Sequence, residues 1–496
     1  MSEDRDLGGR LGLDMYLEET YTQINSMNFL CIEIIQAMEQ VVTSIDFFLS
    51  DNQLKGKTYS SAKTFMQQNF RQLAQAMIFL CEELIRQNDK YPSDFAAKVA
   101  PTDVIEQEVL EQIREIDRLK LEAEGLLGNI PIIKEIPTIF DDIKQKLHEK
   151  LEHLYEFNET SSTNYDMAIQ LAANITNGLA QLNDGKGFNS KTGTFSTKGM
   201  DLSWEANLQK VITILEYENK HPQYVNQTNE FLSPLAEKDR IEIKYLMYTA
   251  EEPYRTLALK YLDKFKIANK NFSGVFYKDE NILTFDVSED RNNERGQYYT
   301  FFHEVGHAID YYYGIENGFE GFYSDSYTID GKTLTKRMYE DAETHFRSEL
   351  QTELKLPNYD HLNHEQKTKI INNITNNLNA NNYSKLLTKE EIALLVTLKN
   401  TFLNKLWGPD HEAASDVYGG ITNFTIKGEY GHQKNEYYWI KENGERTREP
   451  NREGFAEYYG RIMTPDGEKK DAGIESIEHY LPESKKHMDK MFKFME

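Results

Sequence analysis

The sequence predicts a mainly α, multidomain protein: an elongated helical N-terminal domain, then a C-terminal α+β domain of helices with a small mixed sheet. Three observations carry this. Apolar residues recur in steps of three and four along the first part of the chain, the period of a helix face. A stretch rich in Gly, Ser and Thr then breaks the period. Beyond it, a short alternating run leads into a helix-like segment carrying two histidines four residues apart.

Residues 14–50 read as one helix, with Ile24, Met27, Leu30, Ile34, Met38, Val41, Ile45 and Phe48 along one face. Ser50-Asp51-Asn52 breaks it. A second helix over 59–88 places Met66, Phe70, Leu73, Met77, Leu80 and Leu84 on a heptad-like seam. A third covers about 102–124. Gly125, Gly128, Pro131 and Pro137 interrupt the pattern, because proline lacks a donor and clashes with the preceding turn. Helical period resumes over 139–183, and no internal repeat is visible. The Gly/Ser/Thr-rich segment 184–199 reads as a linker, so the expected domains are 1–184 and 231–496 with a connection over 185–230.

Hydrophobic residues make up 39% and charged residues 28%, a composition suited to packed domains rather than disorder. The net charge of −25, from 81 acidic and 56 basic side chains, repels phosphate backbones and anionic lipid, so no nucleic-acid partner is expected. The N-terminus lacks a basic start followed by an apolar core, and no apolar run is long enough to span a bilayer. The expectation is a soluble chain without a cleaved signal peptide or stable membrane insertion. The two cysteines, Cys31 and Cys81, lie in helical stretches and read as buried reduced thiols, the alternative being a disulfide between neighbouring helices. Two cysteines do not make a cysteine zinc site.

The stretches LGLDMYLEETYTQINSMN, LKGKTYSSAKTFM and DVIEQEVLEQIREIDRL, with Leu54 and Gly56 at the namesake pair, resemble the LXG domain over about residues 10–200. That family forms the N-terminal part of toxins exported by the type VII secretion system of Gram-positive bacteria. The resemblance implies secretion without a signal peptide, small helical secretion partner proteins on the N-terminal helices, an immunity protein, and a toxic C-terminal domain.

In the second part, Val275-Phe276-Tyr277 and the alternating run 282–287 flank the turn Lys278–Asn281 and predict a hairpin. Ser288-Glu289-Asp290 suits a helix start, and Gly314 is placed to end the helix. Between them lies His303-Glu304-Val305-Gly306-His307. Residues four apart project from one helix face, so both imidazoles can grip one Zn²⁺ ion. Glu304 sits beside that face as the general base for a metal-activated water. Thr300, Phe301, Phe302, Val305, Gly306, Ala308 and Ile309 are all uncharged, as burial around a catalytic face requires.

This pattern resembles zincin metallopeptidases. The string Glu453-Gly454-Phe455-Ala456-Glu457 resembles the glutamate zincins, including the catalytic domain of anthrax lethal factor. The resemblance implies Glu453 as third metal ligand and Glu457 as its support. The long separation between His307 and Glu453 departs from compact members of that family. Glu340, Glu343, His345, His411 and Asp416 therefore stay open as competitors, as does Glu457. Ser415–Gly420, Gly428–His432, Tyr437-Tyr438-Trp439 and the glutamate string are also similar to zincin-like domains of phage head-associated proteins. Tyr430 and His432 are the candidates for donors to the oxyanion of peptide hydrolysis.

The expected activity is hydrolysis of a protein or peptide substrate, antibacterial or host-directed. The rival expectation is a secreted binding or structural factor with a degenerate zincin-like domain; the intact Glu304 speaks against it. The Asn-rich run 370–382 reads as a solvated helix and loop. The segment 467–496 reads as a surface helix with Met488, Met491 and Phe492 packing inward.

Overall fold

The apolar steps near the N-terminus become helix α1 (Leu17–Ser50), which runs antiparallel to α3 (Arg71–Lys98). Asn28 donates to Asp89 (2.8 Å) near one end of the seam, and Arg71 pairs with Asp46 (2.8 Å) towards the other. The computed structural model describes residues 12–127, 136–161, 164–185, 187–268, 274–377, 385–405, 408–421, 436–439, 441, 445 and 447–496. The chain divides into two compact units, Met1–Leu215 and Glu216–Glu496.

In the first unit, α2 (Lys57–Phe65) follows the break after α1. It begins at Gly56, whose φ of +111° is open to glycine alone among unstrained residues. A π-helical turn, Met66–Phe70, joins α2 to α3. The seam read on α1 is split by the fold. Ile24 and Ile45 are buried, whereas Met27, Leu30 and Val41 stay exposed. A two-residue ribbon pairs β1 (Asp14–Met15) with β2 (Val104–Ile105), and α4 (Glu106–Leu127) lies along α5 (Ile136–Ser161). Lys120–Asp141 and Lys144–Asp117, each 2.6 Å, tie this pair. Met15, Leu17, Phe95, Val104, Val109, Ile113, Leu151, Leu154 and Phe157 form one apolar cluster beneath.

Helix α6 (Asp166–Asn183) packs on α3. The stretch expected as a connection is largely structured. Strands β3 (Phe188–Asn189) and β4 (Thr194–Phe195) form a hairpin turned at Gly193, and Phe195 N–H donates to Ser61 Oγ (3.0 Å). Helix α7 (Ser203–Lys220) follows, with Trp204, Leu208 and Val211 buried. The division between units falls within α7.

The second unit is mainly helical. Helices α8 (Val225–Leu232), α9 (Glu237–Thr249) and α10 (Tyr254–Tyr261) precede strands β5 (Lys266–Ala268), β6 (Val275–Tyr277) and β7 (Ile282–Thr284). The expected hairpin is present: β6 pairs antiparallel with β7, Val275 opposite Thr284, while β5 runs parallel to β7 on its other side. Helix α11 (Val287–Asp290) is a single turn, and α12 (Tyr299–Glu316) starts anew after a loop in which Tyr298 has φ +57°. Gly314 does not end α12 as the sequence predicts. It lies within the helix, where its missing Cβ, which would stand 1.9 Å from the Gly321 carbonyl oxygen, lets that loop approach, and Gly318 takes the left-handed position instead.

Then come α13 (Leu334–Glu353), α14 (His364–Asn376), α15 (Lys389–Lys405), α16 (Glu412–Ile421), α17 (Glu436–Trp439), α18 (Glu449–Met463), α19 (Glu468–Tyr480) and α20 (Pro482–Met495). The described part of the Asn-rich run belongs to α14, where Ile371 and Ile374 are buried. Residues 378–382 of that run lie outside the described residues. Met488, Met491 and Phe492 are buried as expected, and Phe492 stacks on Phe455 of α18 at 4.4 Å between ring centroids.

Candidate metal centre

Helix α12 carries the His-Glu-x-x-His string into the interior of the second unit. The buried Asp290 carboxylate accepts from the Thr300 (3.0 Å) and Phe301 (2.8 Å) N–H groups, satisfying donors that a helix start leaves unpaired. Phe301, Phe302, Val305, Ala308 and Ile309 are essentially inaccessible to solvent. Helix α18 crosses α12 at close range because both carry glycine at the contact. A Cβ on Gly460 would lie 3.1 Å from His303 N, and one on Gly306 would lie 3.0 Å from Ala456 Cα.

That approach brings Glu453 to the histidines. His303 Nε2 and His307 Nε2 are 3.1 Å apart; Glu453 Oε2 lies 3.4 Å from the first and Glu453 Oε1 3.5 Å from the second. The three side chains offer one ligand atom each to a common point. Tetrahedral zinc with bonds of about 2.0–2.2 Å sets its ligand atoms about 3.3–3.6 Å apart. Two imidazole nitrogens slightly closer than that, with a carboxylate that turns Oε2 to His303 and Oε1 to His307, could hold a zinc ion after a small adjustment of the side chains.

The surroundings are strongly acidic. Burial pushes the His303 imidazolium down, but the carboxylates of Glu457, Glu453 and Glu304 hold its pKa up at about 10. This pocket therefore demands positive charge. Glu457 Oε1 faces His303 Nδ1 at 3.7 Å, and Tyr299 donates its hydroxyl to Glu457. The Arg295 and Arg461 guanidinium groups cover the Tyr299 ring at 4.6 and 4.9 Å, and Arg295 pairs with Glu412 at 2.7 Å. Tyr438 donates to Glu453, and burial followed by the Glu453 charge pushes the Tyr438 phenol up. Glu304 is buried and packs against the Gly274 backbone, so that a Cβ there would stand 2.8 Å from Glu304 Oε1.

The remaining candidates fall elsewhere. Glu340 pairs with Lys332 at 2.8 Å, and Glu343 with Arg347 at 2.8 Å on the outer face of α13. His345 lies 3.9 Å from Glu349, and His411 Nδ1 contacts Ser476 Oγ at 2.8 Å. Asp416 and Glu457 form a second buried carboxylate group with Glu453, beside the histidines. Tyr430 and His432 lie outside the described residues. Sequence reasoning had Tyr438 only within an aromatic string and did not single out Tyr299 as a partner of Glu457. Both act across helix contacts that no sequence spacing announces.

Residues 15–194, within the first unit, match the LXG domain of the WXG superfamily. A Bacillus cereus protein named Toxin is 54% identical over 203 residues, covering 40% of this chain and 37% of that protein. The chain thus spans little more than a third of the length of the curated relative it matches. No solved structure matches.

Proposed function

We propose that this chain is a toxin exported through its LXG domain and that its second unit is a zinc metallopeptidase of the glutamate-zincin kind. The observation that carries the peptidase reading is the convergence of His303, His307 and Glu453, whose ligand atoms lie within 4.8 Å of one another. Zinc bound there would supply Lewis acidity towards a peptide carbonyl and acidify a water towards pKa ~7. The rest is the work of the chain's own residues. Glu304 accepts the proton of the attacking water and returns it to the leaving amine. Glu457 orients His303, and Tyr438 fixes the Glu453 carboxylate for its task. Tyr430 and His432 are kept as donors to the developing oxyanion.

The toxin reading is supported by the LXG match and by the name of the Bacillus cereus relative. Among the described residues, no helix is long and apolar enough to cross a membrane. Export in the type VII manner calls for small helical partners, and the exposed Met27, Phe29, Leu30, Ile32, Val41 and Phe47 of α1 offer such partners an apolar surface. An immunity protein that protects the producer belongs to the same reading.

The test is expression of the full chain and its Glu304→Gln variant in a sensitive bacterial host, with zinc measured on both purified proteins. Growth arrest by the parent alone, with about one zinc in each protein, supports the proposal. Equal toxicity of the two chains, or a parent without zinc, would refute it.

A further inference from the structure

The two cysteines of the chain face each other across one helix pair. Cys31 of α1 and Cys81 of α3 are both buried and both free thiols. The seam on which they lie is fixed in register on either side. Asn28 bonds to Asn88 (2.9 Å) and Asp89 (2.8 Å) about a turn beyond Cys31, while Asp46 bonds to Arg71 (2.8 Å) further along in the other direction. Within this antiparallel frame the Cys81 thiol donates a hydrogen bond to Cys31, so the two sulfurs are direct neighbours. Burial, then the neighbouring Cys31, pushes the Cys81 thiol up to about 12. At neutral pH the folded Cys81 thiol is thus almost wholly protonated and slow to react.

We infer that Cys31 and Cys81 are a disulfide-forming pair that staples α1 to α3 once the chain meets an oxidising environment. The oxidant is a small-molecule disulfide such as oxidised glutathione. In the opened helix pair one cysteine thiolate attacks a glutathione sulfur and expels the first glutathione thiolate, leaving a mixed disulfide. The second cysteine then attacks the protein sulfur of that mixed disulfide and expels the second glutathione thiolate. Each cysteine gives up one proton, two electrons pass to the oxidant, and two reduced glutathiones result. Reducing cytoplasm keeps the pair open, and its burial protects it from stray modification. The occasion for closure rests on the export reading above; the chemistry of the pair does not.

The experiment refolds the full chain from denaturant in reduced or oxidised glutathione and counts thiols with a maleimide mass tag under denaturing conditions. The expected result is two tags after reduced refolding and none after oxidised refolding, with both tags restored by dithiothreitol. The cross-linked chain should melt about 5–10 °C above the reduced one. Peptide mapping of the parent chain, which needs no variant to fold, should recover the 31–81 linkage. Cys31→Ser and Cys81→Ser should each remove both the linkage and the gain. Two reactive thiols after oxidised refolding, or a chain whose cysteines both stay capped by glutathione, would overturn the proposal. Thiol counting on chain recovered from culture medium addresses the occasion: cross-linked chain supports closure on export, and reduced chain there refutes it. If purified chain cross-links but none is exported, the export reading fails and the pair stands.

Discussion

Gly306 of α12 and Ala456 of α18 meet backbone to backbone, leaving 3.0 Å between Ala456 Cα and the place a side chain on Gly306 would occupy. Neither helix backbone can retreat without moving His303 or Glu453. A Gly306→Val chain is expected to lose about 1–3 kcal/mol of stability from overpacking, together with its metal. Thermal unfolding and zinc analysis check this, and an unchanged zinc content would show that the helices have room to part.

Glu453→Ala removes the only carboxylate that the described residues bring to both imidazoles at once. Zinc should be lost outright in that variant. Glu457→Ala, which touches His303 only through Nδ1, should weaken zinc binding about 10–100-fold and spare the site. Competition with a chelator measures both, and the opposite ranking would exchange the roles of the two glutamates.

Gly274→Ala reaches the proposed base, Glu304, rather than the proposed metal ligands. Its Cβ would stand 2.8 Å from Glu304 Oε1 and 2.3 Å from Thr300 Cγ2, so the carboxylate must turn aside. The expected outcome is full zinc content with turnover of a protein substrate reduced by about 10²-fold or more. Undiminished turnover would place the proton transfer elsewhere.

His487 gives the second unit a pH dependence unrelated to metal. It is buried beside the Tyr327 ring, and neither ring nitrogen has a hydrogen-bond partner among the described residues. Burial, with help from Arg337 and Lys490, lowers its pKa to about 4. A base depressed on folding binds more protons in the unfolded chain, so its contribution is intact above pH ~6.5 and declines as pH falls towards 4. The parent should lose about 2 kcal/mol across that window beyond any loss in His487→Phe. Denaturant unfolding at pH 7 and pH 4 tests this, with equal losses in both chains as the adverse result.

The sequence made the two helices that carry the proposed ligands legible for a simple reason. Residues four apart share a helix face wherever the helix sits, so His303 with His307 and Glu453 with Glu457 announce themselves locally. Their meeting is fixed by Gly306 and Gly460, whose role depends on a partner helix that the sequence leaves open. Tyr299 and Tyr438 were hidden for the same reason. On α1 the helical period was plain, yet it did not tell which apolar positions face α3, and Met27, Leu30 and Val41 remain exposed. In the stretch after 184 composition was silent on structure, because the Gly, Ser and Thr that suit a linker also build the tight turn at Gly193.

Helix α20 lies far along the chain from α12, yet its Phe492 stacks on Phe455, two residues from Glu453. Its first turn is latched by Asp341, which accepts from Glu483 N (3.2 Å), Ser484 N (2.8 Å) and Ser484 Oγ (2.7 Å). Synthesis runs in one direction, so a ribosome that has just delivered α18 has made every proposed ligand but not the wedge beneath them. A nascent chain at that stage holds the proposed ligands without the aromatic packing that seats α18.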